Sequence, residues 1–328
     1  MRENEIRADD LYEQNQRLHI LDTKKVLLNK DSFVRVHCPA CNKNESTFLF
    51  SKYGFRIVSC DFCKTYFVNP RPTQEMIFDY YQNSLSAQFW KEIIFPKSQQ
   101  ARIKHIIHDR IEKIVDYCKR NRSPFETIMD VGAGDGTFCE QLLKLRLFKK
   151  VLAVEPDHNL AQSCREKGLY ILEEFIENIA SIKVDVVTSF ESIEHLFDPK
   201  TYIVNIFDKL NNHGLFFITT PNIKGFDLLL LQDKSDTIAP PSHLNYFHPD
   251  SLSLLLEGCG FKILEIITPG KLDAELVRKK ANKGEINIEN GFMRRILIDE
   301  SEKYMDSFQK WLSDNCLSSH MWIVAQKI

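Results

Sequence analysis

The sequence predicts an α/β fold, with a seven-stranded, mostly parallel sheet placed behind a small four-cysteine metal module. Three observations carry this expectation. From Thr127 onward, apolar runs that read as strands alternate with helical patterns. The first of those runs ends in a glycine turn, Asp130-Val-Gly-Ala-Gly-Asp-Gly136. Upstream lie two Cys-x-x-Cys pairs, Cys38/Cys41 and Cys60/Cys63.

The 328 residues suffice for one large domain and a smaller module. The chain is 43% hydrophobic and 27% charged, an ordinary globular balance. Its formal net charge of −2 supplies no global attraction to nucleic acid or anionic membrane. No apolar run nears the roughly 20 residues that a bilayer span requires. Leu228-Leu-Leu-Leu231 is far too short. The start, Met1-Arg-Glu-Asn-Glu-Ile6, is polar and lacks a signal-peptide core, so the expected location is cytoplasmic.

Residues 1–32 read as a polar lead-in with a short amphipathic helix around Leu11 to Leu21, loosely packed and without function. Residues 33–72 hold the metal module. The pattern C-x2-C-x18-C-x2-C falls within the spacing of a four-cysteine zinc site. Each pair forms a knuckle, and two knuckles close a tetrahedron around zinc. Ser46–Phe50 and Phe55–Ser59 read as short strands, completing a zinc ribbon. A redox dithiol needs one pair and leaves the second unexplained. Four thiolates close the coordination sphere, so the zinc is structural, and it supplies folding free energy that so small a module lacks.

Residues 73–122 form a helical connector or cap. Asn69-Pro-Arg-Pro-Thr73 is a rigid extended exit from the ribbon, and Thr73 caps a helix from Gln74 to Tyr81. Leu85–Trp90 follows, with Pro96 expected to end it. A long helix over 98–120 carries Ile103, Ile107, Ile111 and Ile114 on its apolar face. Tyr80, Tyr81, Phe89 and Trp90 either cover a cleft or pack the ribbon onto the core.

Residues 123–328 form the core. Strands are expected at 127–130, 151–155, 169–172, 184–190, 214–220, 261–267 and 321–327, with the last antiparallel. An insert at about 268–319 separates the final two. Ligands in such sheets lie beyond the carboxyl ends of the strands. The turns at Gly132–Gly136, Glu155, Phe190–His195 and Pro221–Asn222 should therefore face one cleft.

The glycines follow G-x-G-x-G, unlike the dinucleotide fingerprint G-x-G-x-x-G. An acid, Glu155, ends the second strand about twenty residues on, where a ribose diol would be held. Here the chain resembles the class I S-adenosylmethionine (SAM)-dependent methyltransferases, with their Rossmann-like sheet. The resemblance implies that Asp130, Gly132, Gly134, Asp135 and Gly136 line the cofactor turn. It implies that Glu155, with Pro156, takes the ribose, and that Phe190 and Glu191 border the cofactor.

Two segments offer acceptor chemistry. Glu191-Ser-Ile-Glu194-His195 places two carboxylates and an imidazole within five residues. It looks like the run that serves a divalent metal in ubiquinone-pathway O-methyltransferases, so Glu191, Glu194 and His195 are candidate metal ligands. Alternatively His195 is a general base, or the acids cap a helix. Pro240-Pro-Ser-His243-Leu-Asn-Tyr-Phe247 is similar to the histidine loop of sugar C-methyltransferases that carry an N-terminal zinc module. There the base follows an acid; here Ser242 precedes His243, which favours a hydroxyl acceptor. A loop-stabilising hydrogen bond is the other reading of His243, and His248 reads as a surface cap. Tyr81, Trp90, Asn222 and Tyr246 are candidate acceptor contacts.

The combination resembles zinc-ribbon methyltransferases of bacterial sugar and surface-polysaccharide biosynthesis. The expected partner is a small-molecule or sugar substrate, with no membrane span. An RNA methyltransferase whose ribbon grips the substrate is a second reading, opposed by the near-neutral charge and the lack of a basic stripe.

Overall fold

The computed structural model describes residues 3–6, 8–180 and 182–328. The cysteine module contributes β1 (Ser46–Lys52), β2 (Phe55–Cys60) and β3 (Tyr66–Val68). The core contributes β4 (Thr127–Val131), β5 (Lys150–Val154), β6 (Tyr170–Leu172), β7 (Val184–Phe190) and β8 (Leu210–Pro221). It continues with β9 (Asn245–Tyr246), β10 (Phe261–Ile267) and β11 (His320–Lys327).

The seven-stranded sheet runs β10-β11-β8-β7-β4-β5-β6. Pairs from β8 through β6 are parallel, while β11 is antiparallel to both neighbours. All seven expected strands are present. The strand order reverses at β4, so the carboxyl ends of β4, β5 and β7 face a switch-point crevice. The strands are apolar on both faces because both are covered. Ile111, Ile114, Phe138 and Leu142 pack over Ile128, Val151, Val186 and Phe217 on one side. Tyr202, Ile203, Ile206, Leu252 and Leu255 pack over Met129, Leu152, Val187 and Ile218 on the other.

The ribbon strands do not form a sheet of their own. Strand β9 adds to β3, giving the antiparallel order β1-β2-β3-β9. Strands β2, β3 and β9 are largely buried, whereas the edge strand β1 is mostly exposed. Val58 and Phe67 join the cluster beneath the large sheet, and Phe55, Ile57 and Val68 pack with Ile223, Ile238, Leu244 and Tyr246. At about 1.5–3 kcal/mol for each large apolar side chain removed from water, these contacts bind the ribbon firmly to the core.

Three expectations need correction. The lead-in is not loosely packed: it holds a helix from Asp9 to Leu27, and Asp22 is buried. The Asp22 carboxylate accepts bonds from Ser84, Leu85 and Ser86, capping the next helical segment. Pro96 ends nothing. It follows the π-helical turn Trp90–Ile94, and helical structure continues to Arg120 through a second π-helical turn at Ile103–Ile107. His248 is buried rather than on the surface, and its Nε2 donates to the Cys63 carbonyl at 2.8 Å. The insert is helical over Asp273–Asn282 and Ser301–Asp314. No described helix is long and apolar enough to cross a membrane.

The cysteine geometry suits zinc. The Cys38 and Cys63 sulfurs lie 3.4 Å apart and those of Cys41 and Cys60 3.5 Å apart. Zn–S bonds of about 2.3 Å give a tetrahedral edge of about 3.8 Å. Cys60→Ser should therefore lower the zinc content of the purified protein and its melting temperature together. An unchanged melting curve in zinc-free wild-type protein would remove the assignment.

Candidate active site

Strand β4 ends at Val131, and the chain turns through three left-handed glycines, Gly132 (φ 79°), Gly134 (φ 58°) and Gly136 (φ 75°). The reasons for glycine differ. A Cβ at Gly132 would meet Ser192 Oγ at 2.5 Å, and one at Gly136 would meet Leu169 at 2.4 Å. A Cβ at Gly134 would point into open space, so this corner of the turn is clear for a ligand. Gly132 and Ala133 donate to the Val154 carbonyl, fixing the turn against β5.

Glu155 closes the turn from the tip of β5. Its Oε2 accepts from Gly134 N at 2.9 Å and its Oε1 from Asp157 N at 3.0 Å. Burial pushes its pKa up to about 7, against those two bonds. Pro156 follows, half-buried. Lys91 pairs with Asp157, bringing the connector over this edge.

Other residues expected at the cofactor turn have structural partners. Asp130 is buried, accepts from Thr188 Oγ1 at 2.7 Å, and is raised by burial to about 6. Asp135 binds Thr137 N and Oγ1 and Lys167, stapling the start of the helix Thr137–Leu145. Phe190 packs edge-on to Phe138, with the Arg110 guanidinium 4.2 Å above its ring.

After Phe190 the chain turns sharply, with Glu191 at φ 51°. The Glu191 carboxylate accepts from Thr219 Oγ1 at 2.6 Å and lies 3.5 Å from Arg110 and from His320 Nδ1. Burial would raise its pKa, but His320, Arg110 and Thr219 outweigh that and hold it low. Glu194 is 2% exposed and accepts from Thr220 Oγ1 at 2.8 Å. Burial, then the neighbouring Glu191, push it well above the usual carboxylate range.

His195 and His243 meet, with ring centroids 4.7 Å apart. His195 Nδ1 lies 2.8 Å from the Ser242 carbonyl, and His243 Nδ1 lies 2.7 Å from the Thr237 carbonyl. A carbonyl only accepts, so each Nδ1 carries a hydrogen. Tyr81 donates to the Ser242 carbonyl at 2.8 Å and lies 2.8 Å from His195 Nδ1. Burial lowers the pKa of His195, favouring the neutral base. One nitrogen of each ring and one Glu194 oxygen lie within 4.8 Å of one another.

The structure thus joins Tyr81, Glu194, His195 and His243. Glu191 does not share that group, being engaged by Thr219 and Arg110. Trp90 packs edge-on to Tyr12 and Phe95. Asn222 is buried, and its amide binds the Ser318 carbonyl. Tyr246 is buried and donates to the His243 carbonyl at 2.9 Å, bracing the loop from behind.

Sequence reasoning missed Arg71 and Asn245. Buried Arg71 donates to the carbonyls of Val68 and Phe197 and to Asn245 Oδ1. Asn245 Nδ2 donates in turn to the carbonyls of Ile193, at 3.2 Å, and Leu196, at 2.7 Å. Leu244 N donates to the Glu194 carbonyl at 2.8 Å. These bonds clamp the His243 loop to the His195 turn. An arginine in a Pro-Arg-Pro turn carries no sequence signal of burial.

A glycine turn closed by an acid at the tip of β5, on this reversed seven-stranded sheet, defines the SAM-dependent class I methyltransferase fold. The chain belongs to the methyltransferase-domain family, whose model matches residues 100–266. It is 27% identical over 139 residues to a probable S-adenosylmethionine-dependent methyltransferase of Mycobacterium tuberculosis, covering 41% of this chain and 48% of that protein. It is 31% identical over 142 residues to the mitochondrial ubiquinone biosynthesis O-methyltransferase of Dictyostelium discoideum, covering 37% and 44%. The chain spans about half the length of the curated relatives it matches. A solved chain from the Haloferax volcanii complex of the Trm112 activator with a methyltransferase aligns over 72% of this chain and 95% of that one, at 14% identity and a TM-score of 0.49.

Arg71→Met should destabilise the protein by about 1–3 kcal/mol for each acceptor left buried and unpaired. Urea denaturation measures this. A loss below about 0.5 kcal/mol, the ordinary range of surface substitutions, would mean that the clamp contributes little.

Proposed function

We propose that the chain transfers a methyl group from S-adenosylmethionine to a hydroxyl of a small molecule or sugar, such as a nucleotide-sugar or surface-polysaccharide precursor. One observation carries the reading. The run from Phe190 to His195 lies against the glycine turn through Ser192 and offers Glu194 and His195 to the loop bearing His243. One short segment at the end of β7 thereby joins the cofactor side to the acceptor side.

Bound S-adenosylmethionine supplies an electrophilic methyl group and asks little further chemistry of the protein. The residues that would hold it are the backbone of Gly132–Gly136, the Glu155 carboxylate and the Phe190 edge. The open corner at Gly134 supports the fit. Each Glu155 oxygen accepts one backbone N–H and keeps lone-pair capacity for a ligand hydroxyl.

The acceptor hydroxyl loses its proton to His243 or His195 as general base. Each ring is oriented by a carbonyl at Nδ1 and takes the proton at Nε2. A neutral carbonyl stabilises the imidazolium less than a carboxylate would. This suits a hydroxyl in step with methyl transfer and disfavours abstraction of a carbon-bound proton. Tyr81 keeps the His195 ring in place.

Gly134→Arg should abolish S-adenosylhomocysteine binding in calorimetry, since it fills the open corner at a left-handed φ. His243→Ala and His195→Ala should lower turnover while keeping that binding, and full rates in both would mean that another group is the base. Ribose hydroxyls donate to Glu155 and so favour its ionised form. With its pKa at about 7, affinity for S-adenosylhomocysteine should rise between about pH 6 and pH 8, with proton release on binding. A flat profile would remove Glu155 from the ribose role.

A further inference from the structure

A cavity of about 280 Å3 lies apart from the glycine turn and from the paired histidines. It is framed by the lead-in helix Asp9–Leu27, by residues 227–237 after β8, and by the insert from Leu276 to Glu285. Tyr12, Gln16 and Ile20 stand one turn apart on the lead-in helix and line one wall. Leu231 and Leu276 add apolar surface from the other elements. Ligand pockets usually span about 300–1,000 Å3, so this one suits a single small ring and not a chain.

We propose that this cavity binds a neutral, polyhydroxylated ring, a single saccharide unit. Two observations carry the proposal. The first is Asp227, which lines the cavity and is 1% exposed, yet its Oδ1 makes no hydrogen bond among the described residues. Its neighbour Asp273 is saturated by contrast, accepting from Gln309, from the Ser318 hydroxyl, and from the N–H and hydroxyl of Ser319. Burial, then Asp273, push the Asp227 pKa up to about 8, so at neutral pH it is mostly an uncharged acid. Leaving such a buried oxygen unpaired costs about 1–3 kcal/mol, which a ligand hydroxyl donating to it removes.

The second observation is that charge in the cavity is compensated in place. Its four basic and four acidic lining side chains balance in formal charge. Lys280 Nζ donates to Asp236 at 3.0 Å and to Glu285 at 2.8 Å, and Lys283 Nζ donates to Glu13 at 2.7 Å. An anion would have to take these lysines from their carboxylates, and a cation would have to do the reverse. A hydroxyl both donates and accepts. Adjacent hydroxyls of one ring can therefore meet a lysine and its carboxylate while the pair stays intact.

The cavity borders the histidines without sharing them. Thr237 lines it, and the Thr237 carbonyl is the group that orients His243 Nδ1. Lys52 Nζ donates to the carbonyl of Ser235, another lining residue, tying the same loop to β1. A ring seated there steadies the loop that leads into His243. On the methyl-transfer reading it is a sugar unit of the acceptor next to the one that is methylated. That role rests on the reading; the binding of the saccharide does not.

The test is saturation-transfer-difference NMR on the full-length protein with glucose, galactose, mannose, rhamnose and N-acetylglucosamine. Pyrophosphate and putrescine serve as anionic and cationic competitors. Saturable transfer to at least one sugar is expected, with no displacement by either competitor. Leu276→Trp fills the cavity and Asp227→Leu removes the acceptor, and each should weaken the sugar by roughly tenfold or more. His195→Ala should leave its affinity within about twofold. S-adenosylhomocysteine binding by the same preparations reports on their fold and on the cofactor reading separately. Protein that binds S-adenosylhomocysteine but none of these sugars would overturn the site and leave the methyl-transfer reading standing. A sugar signal kept in a folded Leu276→Trp and lost in His195→Ala would overturn it as well, by placing the sugar beside the histidines. Displacement by pyrophosphate or putrescine would overturn the choice of a neutral ligand. Sugar binding without S-adenosylhomocysteine binding would keep the site and remove the methyl-transfer reading.

Discussion

The pairing of β3 with β9 is the constraint on which the site depends. It places a ribbon strand beside the residues that follow His243, so the cysteine module becomes part of the wall behind the two histidines. Arg71 and Asn245 extend the coupling to the turn carrying His195. A buried guanidinium is expensive to desolvate, and here it donates to two carbonyls and an amide oxygen. That cost is offset only while both loops stay in place, so the clamp has one geometry. His248, through the Cys63 carbonyl, ties the second cysteine knuckle to the same loop. A sheet locked into the core in this way is a rigid support for side chains that must meet from distant parts of the chain.

Three glutamates near the crevice occupy different electrostatic environments, and those differences separate their roles. Glu155 accepts two backbone N–H groups and is lifted to about 7 by burial. Glu191 is held low by His320 and Arg110 despite its burial. Glu194 is pushed high by burial and by Glu191. The first sits against the glycine turn, the second secures the turn after β7, and the third faces the histidines. Five consecutive residues can therefore hold one carboxylate in an ion pair and another beside the two histidines.

Much was legible in the chain. The continuous apolar runs and the glycine turn sufficed for all seven strands, because a strand buried on both faces must be apolar throughout. The cysteine spacing was equally direct. The sidedness of polar residues was not legible. Asp130 and Asp135 lie in the motif, yet their carboxylates serve Thr188, Thr137 and Lys167. Asn222 and Tyr246 sit beside the site and brace backbone. Pro96 looked like a stop because a proline inside a helix removes a donor, whereas here it follows a π-helical turn, where the regular bonding pattern is already interrupted.

The sequence by itself determined the layered sheet, the glycine corner, the acid at the tip of β5 and the four-thiolate knuckles, because each follows from local periodicity or short spacing. Only the tertiary structure decided which groups meet. His195 and His243 are brought together, Glu194 is turned toward them while Glu191 is engaged elsewhere, and the lead-in helix is folded over the connector. Those outcomes depend on strand pairing and buried hydrogen bonds between segments far apart in the chain, and no local pattern encodes such contacts.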